Sequence, residues 1–291
     1  MFSIQITKAL NHTFYFFVYS PLMHLVKARN FYLLFLPVLL FFSCSKFERL
    51  LKSSDYELKY TKAIEYFERK NYTNAFALFE ELIPVFKGTE KGEKVYYYYA
   101  MCNYLMGDYG LAAYHLKTFS RTFPTSDKAE QCAFLNAYCY YLSSPKSSLD
   151  QQDTKMAIDE MQEFVNNYPS SQKIDSCNLI IDDLRKKLEK KSYDITKQYY
   201  FLEDWKASVA ESNNFIKDFP ESTHNEELYF IIIKSYFLLG KNSIEAKKLE
   251  RLEKSRENYL KFIDLYPQSK YLREAESIYE ESIKLINEIN Q

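Results

Sequence analysis

The sequence predicts an all-α solenoid of five helical hairpins closed by a C-terminal capping helix, and three observations carry that prediction. The first is a frame that recurs five times. In its clearest copy a small residue at Ser208 is followed by Ser212, Phe215, Phe219, Pro220 and Ser222. The same offsets hold Ala112, Leu116, Phe119, Phe123, Pro124 and Ser126, then Ala157, Met161, Phe164, Tyr168, Pro169 and Ser171. They hold Ser255, Tyr259, Phe262, Tyr266, Pro267 and Ser269 further on, and a degenerate first copy has Ala75, Phe79, Leu82 and Phe86, with Lys87 and Thr89 in the proline and serine places. The second observation is composition: only 5 Gly and 8 Pro, with 47% hydrophobic residues, suit helices rather than extended disorder. The third is length. A chain of 291 residues is long for one compact core, but stacked repeats need only their neighbours.

The frame has a physical meaning. Its first four positions lie on one stripe of a helix with 3.6 residues per turn. A small first residue lets a neighbouring helix come close, and the aromatics beyond it fill the widening gap. Proline after the last aromatic cannot continue the helix, and it biases the residue before it away from helical geometry. The Ser or Thr two residues later is placed to cap the next helix. Each copy is therefore the second helix of a hairpin, a stop, and the start of the next hairpin.

Small residue, bulky residues and terminal proline at these offsets resemble the tetratricopeptide repeat, whose unit is about 34 residues. The first helices agree, with Ala63 and Tyr66 ahead of Tyr72 and Ala75, and Ala100 ahead of Tyr109 and Ala112. Units start 37, 45, 51 and 47 residues apart, so loops or helices are inserted. The pairs expected are 55–70 with 72–86, 93–106 with 109–123, and 127–142 with 154–168, the last interrupted by a surface loop, Ser143 to Asp153. From Ile174 apolar residues fall at Cys177, Ile181, Leu184, Leu188, Ile195, Tyr199 and Leu202, which predicts one helix of about 30 residues. The fifth pair starts at about 225–239 and ends near Tyr266, with Lys241 to Arg256 as a charged helical extension between, and a helix at about 271–288 caps the stack.

The amino terminus reads differently. Lys27 and Arg29 precede twelve apolar residues, Phe31 to Phe42, and then Ser43 and Cys44. A basic start, a short apolar run and a small residue describe an export signal rather than a membrane span. The cysteine makes it resemble a bacterial lipoprotein signal, which implies that residues 1–43 are removed and that Cys44 is the lipidation site. Phe41 stands where that family usually has Leu. Met23 gives a more compact signal than Met1 and is the expected start. Residues 44–54 then form a lipidated tether, 55–172 the front repeats one to three, and 173–291 the long linking helix, repeats four and five and the capping helix.

Chemistry finds little footing. No two of Cys102, Cys132, Cys139 and Cys177 sit at metal-binding Cys-x-x-Cys spacing, and Cys102 and Cys139 occupy equivalent small core positions in their helices. His115 and His224 belong to no zinc motif, and there is no phosphate-binding glycine loop. Adjacent acids at Asp182-Asp183 and Glu280-Glu281 point to different sides of their helices. After residue 43 the chain carries 35 basic against 39 acidic side chains, which is not the balance of a nucleic-acid binder. What remains is surface. The first helices present Tyr60 and Phe67, then Tyr97, Met101 and Tyr104, then Phe134, Tyr138 and Tyr141, each set on one helical face, and half of these rings are expected to pack between helices. Aromatic and Met side chains suit an extended or amphipathic peptide, while Arg251 and Arg256 on the charged extension suit a folded partner.

The run Leu184-Arg185-Lys186-Lys187-Leu188, with Tyr193, Tyr199-Tyr200 and Trp205 behind it and a lipoprotein cysteine in front, resembles the outer-membrane-protein assembly lipoproteins of the tetratricopeptide-repeat family. The resemblance runs from Cys44 to about Ile286. It implies a non-enzymatic scaffold without cofactor, lipid-anchored to the periplasmic face of the outer membrane. The implied partners are the central barrel-assembly subunit on the rear repeats, other assembly lipoproteins, and unfolded β-barrel precursors on the front repeats. Two other readings stand beside it: another repeat lipoprotein serving as an envelope or cell-division adaptor, and an enzyme with a Cys–His site. Three acyl chains on Cys44 would each bury many methylenes at ~0.8 kcal/mol apiece, far beyond the hold of a single chain. Cys44→Ser is therefore expected to abolish lipid labelling and lower the membrane-bound fraction, and normal labelling of that variant would refute the lipidation site.

Overall fold

The computed structural model describes residues 46–291; the signal segment, Met23 and Cys44 lie outside them. The described residues hold twelve helices and no strand: α1 (46–51), α2 (Tyr56–Glu68), α3 (Tyr72–Phe86), α4 (Glu90–Met106), α5 (Tyr109–Thr122), α6 (Ala129–Ser143), α7 (Gln152–Asn167), α8 (Ile174–Phe201), α9 (Trp205–Asp218), α10 (Asn225–Lys241), α11 (Glu245–Leu265) and α12 (Leu272–Ile289). They divide into two compact units, one ending at His115 and one beginning at Leu116, so that the division falls inside α5. Within each unit consecutive helices pair: α2 with α3 and α3 with α4, then α6 with α7 and onward through α12. The fold is an all-α, tetratricopeptide-like array of helical hairpins.

The recurring frame is the core. Ala75, Ala112, Ala157, Ser208 and Ser255 are at most 1% exposed, and the residues seven further on, Leu82, Phe119, Phe164, Phe215 and Phe262, at most 2%. In the first unit Ala63 and Ala75 bring α2 against α3, while Phe79 stacks on Tyr98 at 5.5 Å. In the second, Met161 and Phe164 of α7 pack on Cys177 and Ile181 of α8, and Phe215 of α9 on Leu228 and Ile231 of α10. The 28-residue α8 runs ~42 Å at 1.5 Å per residue. Its first half serves the α7 core and its second half, through Tyr193 and Tyr200, the α9–α10 core. The α12 helix buries Ala275, Ile278, Ser282 and Ile286 against α10 and α11 and turns its charged residues outward, as a cap should.

Two kinds of turn punctuate the array. The first joins the two helices of a hairpin. Lys70, Gly107 and Glu203 have φ of 60°, 83° and 60°, and the next residue caps the following helix. The caps are Asn71, Asp108 and Asp204, whose side chains accept the amides of Asn74, Leu111 and Ala207 at 3.3, 3.3 and 3.0 Å. An aromatic pair closes each turn: Phe67 on Tyr72, Tyr104 on Tyr109, and Tyr200 on Trp205, with centroids 5.5, 6.1 and 5.5 Å apart. The second kind is the aromatic-Pro-x-Ser closure. Phe123, Tyr168, Phe219 and Tyr266 each donate their amide back to the buried Phe four residues earlier, at 2.8–2.9 Å. The serine hydroxyls accept an amide two residues on, at 3.0–3.1 Å, so they close the turn ahead of the helix rather than its first amides.

Two expectations need correcting. The stretch predicted as a tether contains a helix, α1, whose Phe47, Leu50 and Leu51 pack on the first core. The charged extension is not one surface helix. The chain turns at residues 242–244, and buried Leu252 draws α11 so close to α10 that a Cβ on Gly240 would lie 2.7 Å from it. The loop after α6 lies mostly at the surface, as expected, and is pinned by Gln151, 4% exposed, whose amide nitrogen donates to the carbonyls of Lys146 and Leu149.

Two stability outcomes follow from this packing. Phe215→Ala empties a fully buried ring and should cost ~3–5 kcal/mol, read as a drop in the urea midpoint of the second unit. Left-handed backbone costs an L residue ~1–2 kcal/mol, which glycine avoids. Lys70→Gly and Glu203→Gly should therefore each raise the midpoint, while Gly107→Ala, with open space around its Cβ, should lower it by ~1 kcal/mol from conformation alone.

Candidate interaction surfaces

No group of three or more His, Cys, Asp or Glu among the described residues could hold a metal ion, and no described helix is long and apolar enough to cross a membrane. All four described cysteines are buried and unbridged. Desolvation pushes the thiols of Cys102, Cys132 and Cys139 up to about 12 and raises that of Cys177, so each stays protonated at neutral pH and is a poor nucleophile. Nδ1 of His115 is 3.0 Å from the Tyr96 hydroxyl, and burial lowers its proton affinity. The His224 ring stacks on Tyr193 at 4.0 Å. These groups are packing elements, as Cys102 and Cys139 were read to be.

The aromatic residues singled out from sequence fall into separate sets. In the first unit Tyr60 and Phe67 are half-buried on the α2–α3 core; Tyr60 meets the Phe86 ring edge-on at 6.0 Å, and Phe67 meets Tyr98 at 4.9 Å. Tyr97 stands edge-on to Tyr98 at 5.4 Å, and Tyr104 closes a turn against Tyr109. Met101, 9% exposed, lies inside the fold. In the second unit Phe134, Tyr138 and Tyr141 form a ladder along α6 with 5.7 and 5.4 Å between rings, and Phe134 also leans on Phe164. All but Met101 keep partial exposure while their rings are fixed by aromatic neighbours.

The two arginines spend their charge locally. Arg251 donates to the Ser243 hydroxyl at the α10–α11 turn, and Arg256 pairs with Glu253 of its own helix at 2.7 Å. Elsewhere in the second unit Lys117 is hydrogen-bonded to Glu160 and, at 2.9 Å, to Glu163, which also takes Arg121 at 3.1 Å. Desolvation works against the Lys117 ammonium, but its two carboxylate partners outweigh it and hold its pKa above the usual lysine range.

The sequence reading missed an exposed apolar cluster at the end of α8. Tyr199 and Leu202 continue the apolar spacing of α8, yet Leu202 is 67% exposed and its neighbour Phe201 72%. The helix ends at Phe201 and the chain turns through Glu203, so the stripe runs past the last neighbour able to cover it. Lys197 sits 5.2 Å over the Phe201 ring, and Tyr193, Asp194 and Gln198 line the open groove beside them. The signal was present as four consecutive apolar residues, Tyr199 to Leu202, which no single helical face can bury. On α5, Leu111 and Tyr114 are similarly exposed, at 49% and 63%.

Known proteins resemble this chain in sequence. The outer membrane protein assembly factor BamD of Caulobacter vibrioides is 23% identical over 192 residues, covering 66% of this chain and 63% of that protein. BamD of Rickettsia prowazekii is 23% identical over 189 residues, covering 65% of this chain and 75% of its own. The match thus spans less than two thirds of the Caulobacter protein. A family model, the outer membrane lipoprotein family YfiO, matches residues 53–252, which include ten of the described helices from α2 into α11. The chain belongs to the YfiO family of outer membrane lipoproteins.

Proposed function

We propose that this chain is a non-enzymatic scaffold in outer-membrane protein assembly, anchored through Cys44 to the periplasmic face of the outer membrane. The observation that carries the reading is the family match across residues 53–252, and likeness to two proteins named as assembly factors stands beside it. In this reading the half-exposed rings of Tyr60, Phe67, Tyr97 and Tyr104, and of Phe134, Tyr138 and Tyr141, take the apolar side chains of unfolded barrel precursors. Rings already fixed by neighbours lose little conformational freedom on binding, which favours aromatic anchors at interfaces. The rear helices, with Arg251 and Arg256 on α11, take the central barrel subunit, and charge complementarity there mainly tunes encounter and specificity. Buried, protonated thiols support a scaffold over an enzyme with a Cys–His site.

The test begins with affinity purification from detergent-solubilised envelopes, in which the barrel subunit should accompany the chain; its absence would remove the reading. Tyr97→Ala with Tyr104→Ala should weaken precursor peptides about tenfold while sparing the subunit. Arg251→Glu with Arg256→Glu should weaken the subunit, more so at low salt. Helicity of both variants is checked by circular dichroism, and equal loss of both ligands from both variants would show that the two partners share one surface.

A further inference from the structure

The α1 helix has two unlike sides. At 100° per residue, Phe47, Leu50 and Leu51 share an arc, and all three pack on the first core, with the Phe47 ring edge-on to Tyr66 at 5.6 Å. Lys46, Arg49 and Lys52 share the opposite arc, and all three are exposed. The Lys52 amide bonds to the Glu48 carbonyl at 3.1 Å, so the helical course carries to that residue. Glu48, the one acid on α1, projects at the border between the two sides. The next acid, Asp55, is engaged in capping α2 through the Leu58 amide at 2.9 Å.

This short helix is clamped in place. Lys59, 3% exposed, donates to the Leu51 carbonyl at 2.6 Å, and its charge is answered by Glu81. A buried ammonium at a helix C-terminus complements the carbonyls there. Lys46 also stands only two residues beyond Cys44, so the chain keeps it within ~7 Å of that residue.

We propose that α1 is a rigid basic foot that binds anionic phospholipid headgroups and thereby fixes the orientation of the first unit on its membrane. The inference rests on reading Cys44 as acylated. That anchor keeps a bilayer beside Lys46 at high effective concentration. The chain after residue 43 is net acidic, so attraction to an anionic surface must come from a local basic patch and not from the field of the whole molecule.

The test uses the unacylated chain Ser45–Gln291, which contains every described helix, floated with vesicles of phosphatidylcholine alone or with one part phosphatidylglycerol to two of phosphatidylcholine. Binding is expected only to the anionic vesicles and should fade with salt. Lys46→Gln with Arg49→Gln and Lys52→Gln should lower partitioning about fivefold per cation, roughly 100-fold together. Lys46→Arg with Lys52→Arg should retain binding, and Glu48→Gln should bind at least as well as the wild type. Failure of the wild type to float with anionic vesicles at low salt, equal binding to neutral vesicles, or undiminished binding by the triple Gln variant with unchanged helicity would each overturn the proposal. Acylation is read separately by lipid labelling of Cys44 in the full chain, so either result can fail without the other.

Discussion

Close approach of paired helices over one small side chain sets the geometry on which the rest of this structure depends. Ala75, Ala157, Ser208 and Ser255 leave no space around them, and anything larger would force neighbours off their rotamers at ~1–3 kcal/mol. Once that contact is made, a residue seven positions on lies on the same stripe of the helix, and a larger side chain, Leu82 in the first copy and a phenyl ring in the others, fills the space there. The last two units use Ser where the earlier ones use Ala, and the hydroxyl must then be accommodated. Ser255 donates to the Ile233 carbonyl of the neighbouring helix at 3.0 Å. The Ser208 hydroxyl is buried without a protein partner, while Ser212 bonds back to the Ser208 carbonyl at 2.7 Å. Size is thus the requirement at this position, and polarity is tolerated around it.

The two turn types explain how helices of such different length stay in phase. Each resolves the unpaired amides and carbonyls at a helix end with local chemistry: an Asx cap with an aromatic clasp in one, proline with a serine hydroxyl in the other. Insertions then sit where neither turn operates. The loop between α6 and α7, the 28-residue α8 and the 21-residue α11 account for unit spacings above the standard repeat. Through all of them the aromatic-Pro-x-Ser closure recurs with nearly the same hydrogen bonds, because it depends on four consecutive residues and not on the length of what precedes it.

That locality is why so much of the fold was legible. Positions separated by 4, 7 and 11 residues on one helix meet the same environment, so the pattern can be read without knowing the partner. Elements that depend on partners were not legible in the same way. The six described residues of α1 are too few to show a period, and its end is held by Lys59, eight positions beyond Leu51. In the charged run around Lys241 the turn formers Gly240, Asn242 and Ser243 are outweighed by the helical charge pattern that follows; the turn at 242–244 lets Leu252 pack on the surface of α10 around Gly240. Met101 shares a helical face with Tyr97 and Tyr104, yet the unbranched thioether is buried where the rings beside it keep partial exposure. Which member of a shared face is covered is decided by the neighbouring helix, and its placement is not written in the spacing.

A surface rich in half-exposed rings carries a hazard of indiscriminate association, and lysines address it. Lys91 lies 5.6 Å over both Tyr60 and Phe86, Lys173 4.7 Å over Phe134, Lys197 5.2 Å over Phe201 and Lys254 5.9 Å over Tyr236. Several of these ammonium groups are also held by carboxylates, Lys91 by Glu57, Lys197 by Glu227 and Lys254 by Glu250, so Tyr60, Phe86, Phe201 and Tyr236 are covered by charges that are themselves tethered. Contacts of this kind are worth ~0.5–1 kcal/mol at exposed sites. That is enough to keep water and charge over an apolar face on average, and too little to exclude a ligand that stacks well. Under the proposed function, an aromatic side chain arriving from a precursor would replace the ammonium with a ring contact of comparable or greater strength and return the lysine to solvent, where its charge is fully hydrated. Selectivity would then fall to precursors that offer several rings at once, because only the sum of several such exchanges outweighs the ordering of an extended chain.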